Sequence, residues 1–563
     1  VAKTKEKVVS NAPSAAQVEI DNRPGWQKWG SLAVLSLALA IIIIDTTLLN
    51  VSLKTIIVDL GTNIQGLQWV ISAYALTLAA LTITGGRLGD LFGRKKMFMI
   101  GAVLFAVGSL VASFANGLPM LLIGESIIEG VGAALMMPAT ASLLISTFRG
   151  RERAIAFGVW GAIAGAASAI GPILGGFLTS HYSWRWGFRI NVFVVLVLLL
   201  ASPLIKEARD RIEKVELDVV GILLSSVGLL AIVFGIIQSS AYGWFKTKQI
   251  FSIFGYIPSR SISITALSLV LGAILLGLFV WWERRHEAAG HTPLVSMKLF
   301  RNTQFISGAS TMAMMSLGMT GLIFVVPVFL QTTLNLDAFH TGLALLPLSV
   351  AVLIVGPISA VLSQRITPKY LIQAGVGIAT IAMLVIRSEI TTTATAASLA
   401  PGLALFGVGM GLVMATVSNL TLSAVSVQQA GEASGVNNTM RQIGSSLGSA
   451  ILGAVLLTAL ATNVSTGIKN SPSIPAQAKT TIAAAAGSHS SDAAFGGASG
   501  ISHASPAIAA EIKTISVQAT VDASQTTMLY GAGFLLLAFL ISLKLPKTSH
   551  EEEEGRNIPK AAH

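Results

Sequence analysis

An all-helical integral membrane protein of fourteen spans is the fold class this sequence predicts, and two observations predict it. Of 563 residues, 53% are hydrophobic and only 11% charged, where a soluble globular chain carries about a quarter charged residues. The apolar residues also come in unbroken runs, such as "IIII" at 41–44 and "VVLVLLL" at 194–200, rather than alternating as in membrane barrels. Lipid offers no partner to unpaired backbone groups, so such runs cross the membrane as helices.

At about 20 residues per crossing, spans fall at 31–53, 67–88, 97–115, 119–144, 154–178, 190–205, 217–238, 262–282, 305–329, 340–362, 370–387, 397–422, 435–460 and 527–545. An even number places both termini on one side. That side holds 25 of the 37 Lys and Arg, so the positive-inside rule makes it the cytoplasm, with the plasma membrane as the expected home. Trp26 and Trp29 before the first span, and Trp281 and Trp282 ending the eighth, suit the interfacial belt. The net charge of +11 is therefore a topology signal, and no nucleic-acid partner is expected. The first apolar run is too long for a signal-peptide core and is expected to remain as a span.

Several chemistries are excluded. Without cysteine there is no disulfide, thiolate metal site or cysteine catalysis. Walker A, zinc and Ser-His-Asp patterns are missing too, so the chain is expected not to be an enzyme and to need no cofactor or metal. Any work it does must draw on an ion gradient.

The polar features appear in chain order. Residues 1–30 are a basic tail. The first span contains "IDTTLLNVSL" at 44–53. Asp45 lies about 14 residues, hence about 21 Å, from the cytoplasmic start of the span; a carboxylate that deep is costly and is by default a functional candidate. After the second span comes "GRLGDLFGRKK" at 86–96. Gly86 and Gly89 would let two helices approach closely, Gly93 would permit a tight turn, and Asp90 and Arg94 supply opposite charges for a latch. A plain basic loop obeying topology would account for Lys95 and Lys96.

The fourth span carries "GESIIEGVGAALMMP" at 124–138. Glu125 and Glu129, four apart, share a helix face at about 9 and 15 Å below the outer boundary, with Asp45 at about 12 Å. Three acids at similar depth predict one cluster that takes protons or a cation. The alternative is that a glutamate merely hydrogen-bonds a neighbouring helix. "GAIAGAASAIGPILGG" at 161–176 follows in the fifth span, where Pro172 removes a backbone donor and small residues make a smooth packing face.

In the second half, "TMAMMSLGM" at 311–319 sets Met312, Met315 and Met319 on one stripe, as adaptable ligand contacts or as core filling. "GPISAVLSQRITPK" at 356–369 echoes the loop at 86–96, which suggests repeated halves, as in secondary transporters. Arg441, in "GEASGVNNTMRQIGSSLG" at 431–448, lies about two turns inside its span. It must reach backbone carbonyls or an anionic group, or snorkel to the cytoplasm. Residues 461–526, rich in Ala, Ser, Thr and Gly, read as a long outer loop, either a spacer or a short helical hairpin. The chain closes on an acidic tail at 546–563.

These motifs resemble those of the major facilitator superfamily. Gly86, Gly89, Asp90, Gly93, Arg94 and Lys95 match, in order, its signature loop between helices 2 and 3. Gly165, Gly171, Pro172, Gly175 and Gly176 resemble the hinge motif of its drug:proton antiporters, and Asp45 and Asn50 the first-helix motif of their fourteen-helix branch. The helix-4 motif departs: its arginine falls on Ser126 and its glutamine on Glu129, which removes any proton relay through an arginine.

The resemblance implies a major facilitator fold. Its parts are a six-helix bundle at 31–205, linkers and two additional helices at 206–304, and a second six-helix bundle at 305–545. It further implies a monomeric multidrug efflux antiporter that exchanges amphipathic, cationic compounds for protons by alternating access. Asp45, Glu125 and Glu129 would take the cation or proton, and Asn50 and Arg441 would form a second polar site. Sodium would serve carboxylates equally well. A lipid or cell-envelope exporter on the same fold is the alternative, and a non-transporting sensor or scaffold a further one.

Overall fold

The computed structural model describes residues 24–148, 150–207, 218–247, 261–291, 293–295, 297, 299–363, 365–424, 430–475, 479 and 506–546. Among these residues the regular structure is helical, with one isolated bridge between Lys246 and Ile262. The first half comprises α1 (Gly25–Val51), the short α2 (Leu53–Leu60), α3 (Ile64–Phe92), α4 (Arg94–Ser113), α5 (Leu118–Leu121), which runs through a π-helical stretch (Leu122–Glu129) into α6 (Gly130–Thr147), then α7 (Gly150–His181) and α8 (Arg185–Ala201). The additional pair is α9 (Val219–Tyr242) and α10 (Ile264–Ala288). The second half comprises α11 (Thr303–Thr332), α12 (Ala338–Ala344), α13 (Leu346–Leu362), α14 (Pro368–Glu389), α15 (Ala396–Leu422), α16 (Ala430–Asn470) and α17 (Pro506–Ser542).

Thirteen candidate membrane spans occur among the described residues. The remaining sequence-predicted span, 154–178, falls on the 32-residue α7. Polar caps start several helices where chain enters from a loop. Asn63 accepts from Gly66 N at 2.8 Å, Asp218 from Gly221 N at 2.9 Å and Asp337 from His340 N at 2.7 Å, each satisfying a first-turn donor that lipid would not.

The outer loop is shorter than its composition suggests. α16 continues to Asn470 and α17 begins at Pro506. Their outer ends pack through buried Ile468, Ile474 and Ile512, and Ser471 donates to Glu511 at 2.8 Å. Alanine-rich sequence reads as spacer, yet it also has high helix propensity, and here apolar isoleucines give it a face to bury. Residues 480–505 of that loop, the first 23 residues and 547–563 of the acidic tail lie outside the described residues.

The halves meet along α3 and α16 and again at the outer surface. Buried Gln68 donates to the carbonyls of Ser449 and Ala450 at 3.0 and 2.9 Å, and the hydroxyls of Ser72 and Ser449 are 2.6 Å apart. Nearer the outside, Gln331 of α11 closes on the break between α1 and α2. It donates to Val51 O at 2.8 Å and accepts from Lys54 N at 3.1 Å, while Lys54 Nζ donates to the Gln331 carbonyl at 3.1 Å.

A clasp inside the first half finishes the outer end. Asp59 accepts from Trp184 Nε1 at 2.9 Å and pairs with Arg185, whose guanidinium also donates to Ala115 O at 2.8 Å. Trp184 and Arg185 hold the Asp59 carboxyl below the ordinary carboxylate range. Its stabilisation is therefore full above the unfolded value of about 4 and is lost as pH falls through the lower folded value. Asp59→Asn is expected to lower the unfolding temperature slightly at pH 7, and the difference should close as pH is taken from about 4 to about 2; scanning fluorimetry of purified protein reads both.

Candidate functional site

The polar centre of the first half is built by four helices. α1 places Asp45 directly after its isoleucine run, on the buried side. The π-helical stretch carries both Glu125 and Glu129; such a stretch widens the turn and re-aims its side chains, and is frequent at functional sites. It is held close to α4 by glycine. A Cβ on Gly108 would run into Glu129 N and stand 2.7 Å from Glu129 Cβ, and one on Gly124 would stand 2.6 Å from Ala112 N. Further along the same seam, a Cβ on Gly101 would stand 2.7 Å from Gly132 O.

The three acids converge as the sequence predicted. Asp45, Glu125 and Glu129 are 2%, 2% and 0% exposed, and a carboxylate oxygen from each lies within 4.8 Å of the others. At that separation two negative charges repel by about 3 kcal/mol even at an effective dielectric of about 20. Compensation from side chains is thin. The amide of Asn191, on α8, donates to Asp45 Oδ1 at 2.7 Å and to Glu129 Oε1 at 3.1 Å, and lies 3.1 Å from Ser109 Oγ of α4. Asp45 Oδ2, Glu125 Oε2 and Glu129 Oε2 have no hydrogen-bond partner among the described residues, nor has the buried hydroxyl of Tyr74, which lies in electrostatic reach of all three acids. No described Lys, Arg or His pairs with them. The arrangement can store a shared proton or accept a cation.

The hinge motif touches this centre. A Cβ on Gly171 would run into Thr47 Oγ1, and one on Gly175 would stand 2.7 Å from Leu48 Cγ, so α7 lies tight against α1 just beyond Asp45. On its other face, Gly176 abuts the carbonyl of Ala338, and Gly342 of α12 abuts that of Pro172. Pro172 sits within the continuous helix α7. Gly165 lies in the same helix, but its surroundings are outside the described residues.

A model described as "Major Facilitator Superfamily" matches residues 35–449. The chain belongs to the major facilitator superfamily. Curated relatives include a probable actinorhodin transporter of Streptomyces coelicolor, 31% identical over 76% of this chain and 72% of that protein. Another is the multidrug efflux pump LfrA of Mycolicibacterium smegmatis, 33% identical over 75% of this chain and 79% of the pump. A bacterial homologue of the human lysosomal transporter Spinster shares the fold, with a TM-score of 0.58 at 15% identity over 94% of this chain and all of that one. The superfamily's proteins are transporters, not enzymes.

In this major facilitator chain the signature turn is only partly as its residues suggest. Gly93 has φ of 103°, a backbone that a side chain would strain, and it does make the turn. The close helix approach falls on Gly85, whose Cβ would run into Ala134 O, rather than on Gly86 or Gly89, where the nearest atoms would stand at 3.6 and 3.7 Å. One position along a helix is about 100°, enough to trade the backbone of Ala134 for an ordinary contact with the Pro138 side chain of the same helix, α6. Arg94 opens α4; the side chain of Asp90 lies outside the described residues. A further acid, Glu207, accepts from Lys95 N at 3.0 Å and caps α4 against its own basic first turn. Arg87 donates to Pro293 O at 3.0 Å, tying the turn to the linker before the second half.

The second polar site does not assemble. Asn50 is buried and donates back to Thr46 O of its own helix at 2.7 Å, and no described bond joins it to half-buried Arg441 on α16. Met312 and Met315 are buried in the core. Sequence reading passed over Asn191, Ser109 and Tyr74. The one available signal was an amide inside the apolar run "NVFVVLVLLL" at 191–200.

Gly108→Ala is expected to displace the π-helical stretch and cut transport roughly ten- to a hundredfold, since a shift near 1 Å in a polar site has that effect. Gly277→Ala, where nothing lies within 4 Å, is the control. Transport normalised to folded protein compares the two; equal rates would mean that close packing of α4 does not set the acids.

Proposed function

We propose that the chain is a multidrug exporter that expels amphipathic, cationic compounds in exchange for protons. One observation carries the reading: three buried carboxylates from two helices each keep an unpartnered oxygen, and the one amide among them reaches only Asp45 and Glu129 of the three. Such a centre is neutralised either by protons or by a cation, and exchanging one for the other is antiport. The names of its relatives support export as the direction, among them LfrA and a methyl viologen resistance protein of Salmonella typhimurium, 28% identical over 75% of this chain.

The mechanism follows alternating access. Facing outward, Asp45, Glu125 and Glu129 take up protons and release the substrate; facing inward, the substrate cation displaces the protons. α7 supplies the sliding surface through Gly171, Gly175 and Gly176. The protein acts as a monomer in the plasma membrane, with both termini in the cytoplasm.

Proteoliposomes with an imposed pH gradient test this with a fluorescent monovalent lipophilic cation. The parent is expected to show gradient-driven flux, Asp45→Asn to lose it, and Glu125→Gln and Glu129→Gln to reduce it at least tenfold. Flux that follows a sodium gradient instead would reassign the coupling ion. A parent without flux, its gradient verified, would turn the reading to a lipid or envelope exporter.

A further inference from the structure

The amide of Asn191 bridges two of the acids and leaves no hydrogen over. It carries two hydrogens and has three oxygens in reach, Asp45 Oδ1 at 2.7 Å, Glu129 Oε1 at 3.1 Å and Ser109 Oγ at 3.1 Å. These belong to α1, to the π-helical stretch and to α4. Asn191 is 1% exposed, so its amide lies away from bulk solvent. We propose that Asn191 is the positioning residue of the exchange: it bridges carboxylates on two helices with one amide, so that neutralising Asp45 loosens the shorter bond and lets the amide settle on Glu129. The inference rests on the carboxylate reading above.

The physical basis is a difference in acceptor strength. A carboxylate binds an amide hydrogen more strongly than a carboxyl group does, because charge-assisted bonds are roughly twice as strong as neutral ones. When a proton or cation settles on Asp45, its claim on the amide weakens and that of Glu129 is left to dominate. The two acids are thereby coupled although they sit on different helices.

The surrounding charges leave this role to the amide. α1 offers Asp45, α3 the Tyr74 hydroxyl, α4 Ser109, and the π-helical stretch Glu125 and Glu129. α7 has no charged residue between Arg153 and His181. On α8 itself, Arg189 lies 5.2 Å over the Trp186 ring and 6.0 Å from that of Phe114, and Arg185 is engaged with Asp59.

Equilibrium binding of the fluorescent cation to purified full-length protein, measured from about pH 5 to about pH 9, tests the assignment. Removing a donor to a charged group disfavours the charged form, so Asn191→Leu should move the midpoint of binding about one unit toward alkaline pH. Asn191→Ser keeps one hydrogen and should move it less; it also decides the matter if the leucine variant does not fold. A parent curve that rises with pH and is left in place by whichever variant folds overturns the role of the amide alone. A parent curve flat in pH overturns the carboxylate reading, and the amide's role with it.

Discussion

Three carboxylates confined within 4.8 Å, with one amide between them, are the constraint on which the rest of this structure depends. Charge in hydrocarbon is tolerated only where protein surrounds it, so the helices around the cluster must close to near contact. That demand explains the glycine seam of Gly101, Gly108, Gly124 and Gly132 between α4 and its neighbour. It also gives the π-helical stretch a purpose: the widened turn presents two glutamates toward α1 while leaving Ser126 free to bond Val70 O of α3 at 2.8 Å. Seen this way, the small residues and the acids are one device.

The same ten residues of chain serve the acids, the hinge and the outer closure. Asp45 belongs to the cluster, Thr47 and Leu48 lie under the glycines of α7, and Val51 and Lys54 are gripped by Gln331 from the other half. At about 1.5 Å per residue, Asp45 and Val51 are about 9 Å apart along α1. On the proposed mechanism, a displacement of α1 on neutralisation of Asp45 would act directly on this contact between the halves. No long relay of side chains is required, because one rigid helix joins the two places.

Much of this was legible in the sequence, and the parts that were not failed for physical reasons. Span positions follow from length and hydropathy, since the membrane imposes both. The acids were legible because ionised groups in lipid are rare and their depth can be counted. Gly85 was not: Gly85 and Gly86 are neighbours that both face α6, and which of them meets its backbone depends on a rotation that sequence does not record. Asn191 was hidden by its neutrality, since an uncharged amide in an apolar run costs far less than a carboxylate and so draws no notice. The outer ends of α16 and α17 fall where alanine, serine and threonine suit a spacer and a helical hairpin alike; buried isoleucines such as Ile468 and Ile512 decide for helix.

The departure in the helix-4 motif has the widest chemical consequence. An arginine at position 126 would have put a fixed positive charge in the same π-helical stretch as the two glutamates. In its place the serine spends its hydroxyl on Val70 O, and Glu129 adds a third acid where the resembling motif has a glutamine. With a fixed countercharge, a carboxylate stays ionised and needs nothing from outside. Without one, the centre is balanced only by what enters it, and a site poor in internal donors takes protons or organic cations rather than remaining charged and empty. On the proposed reading, the cluster as it stands, and not the fold that carries it, is what would favour a cationic cargo.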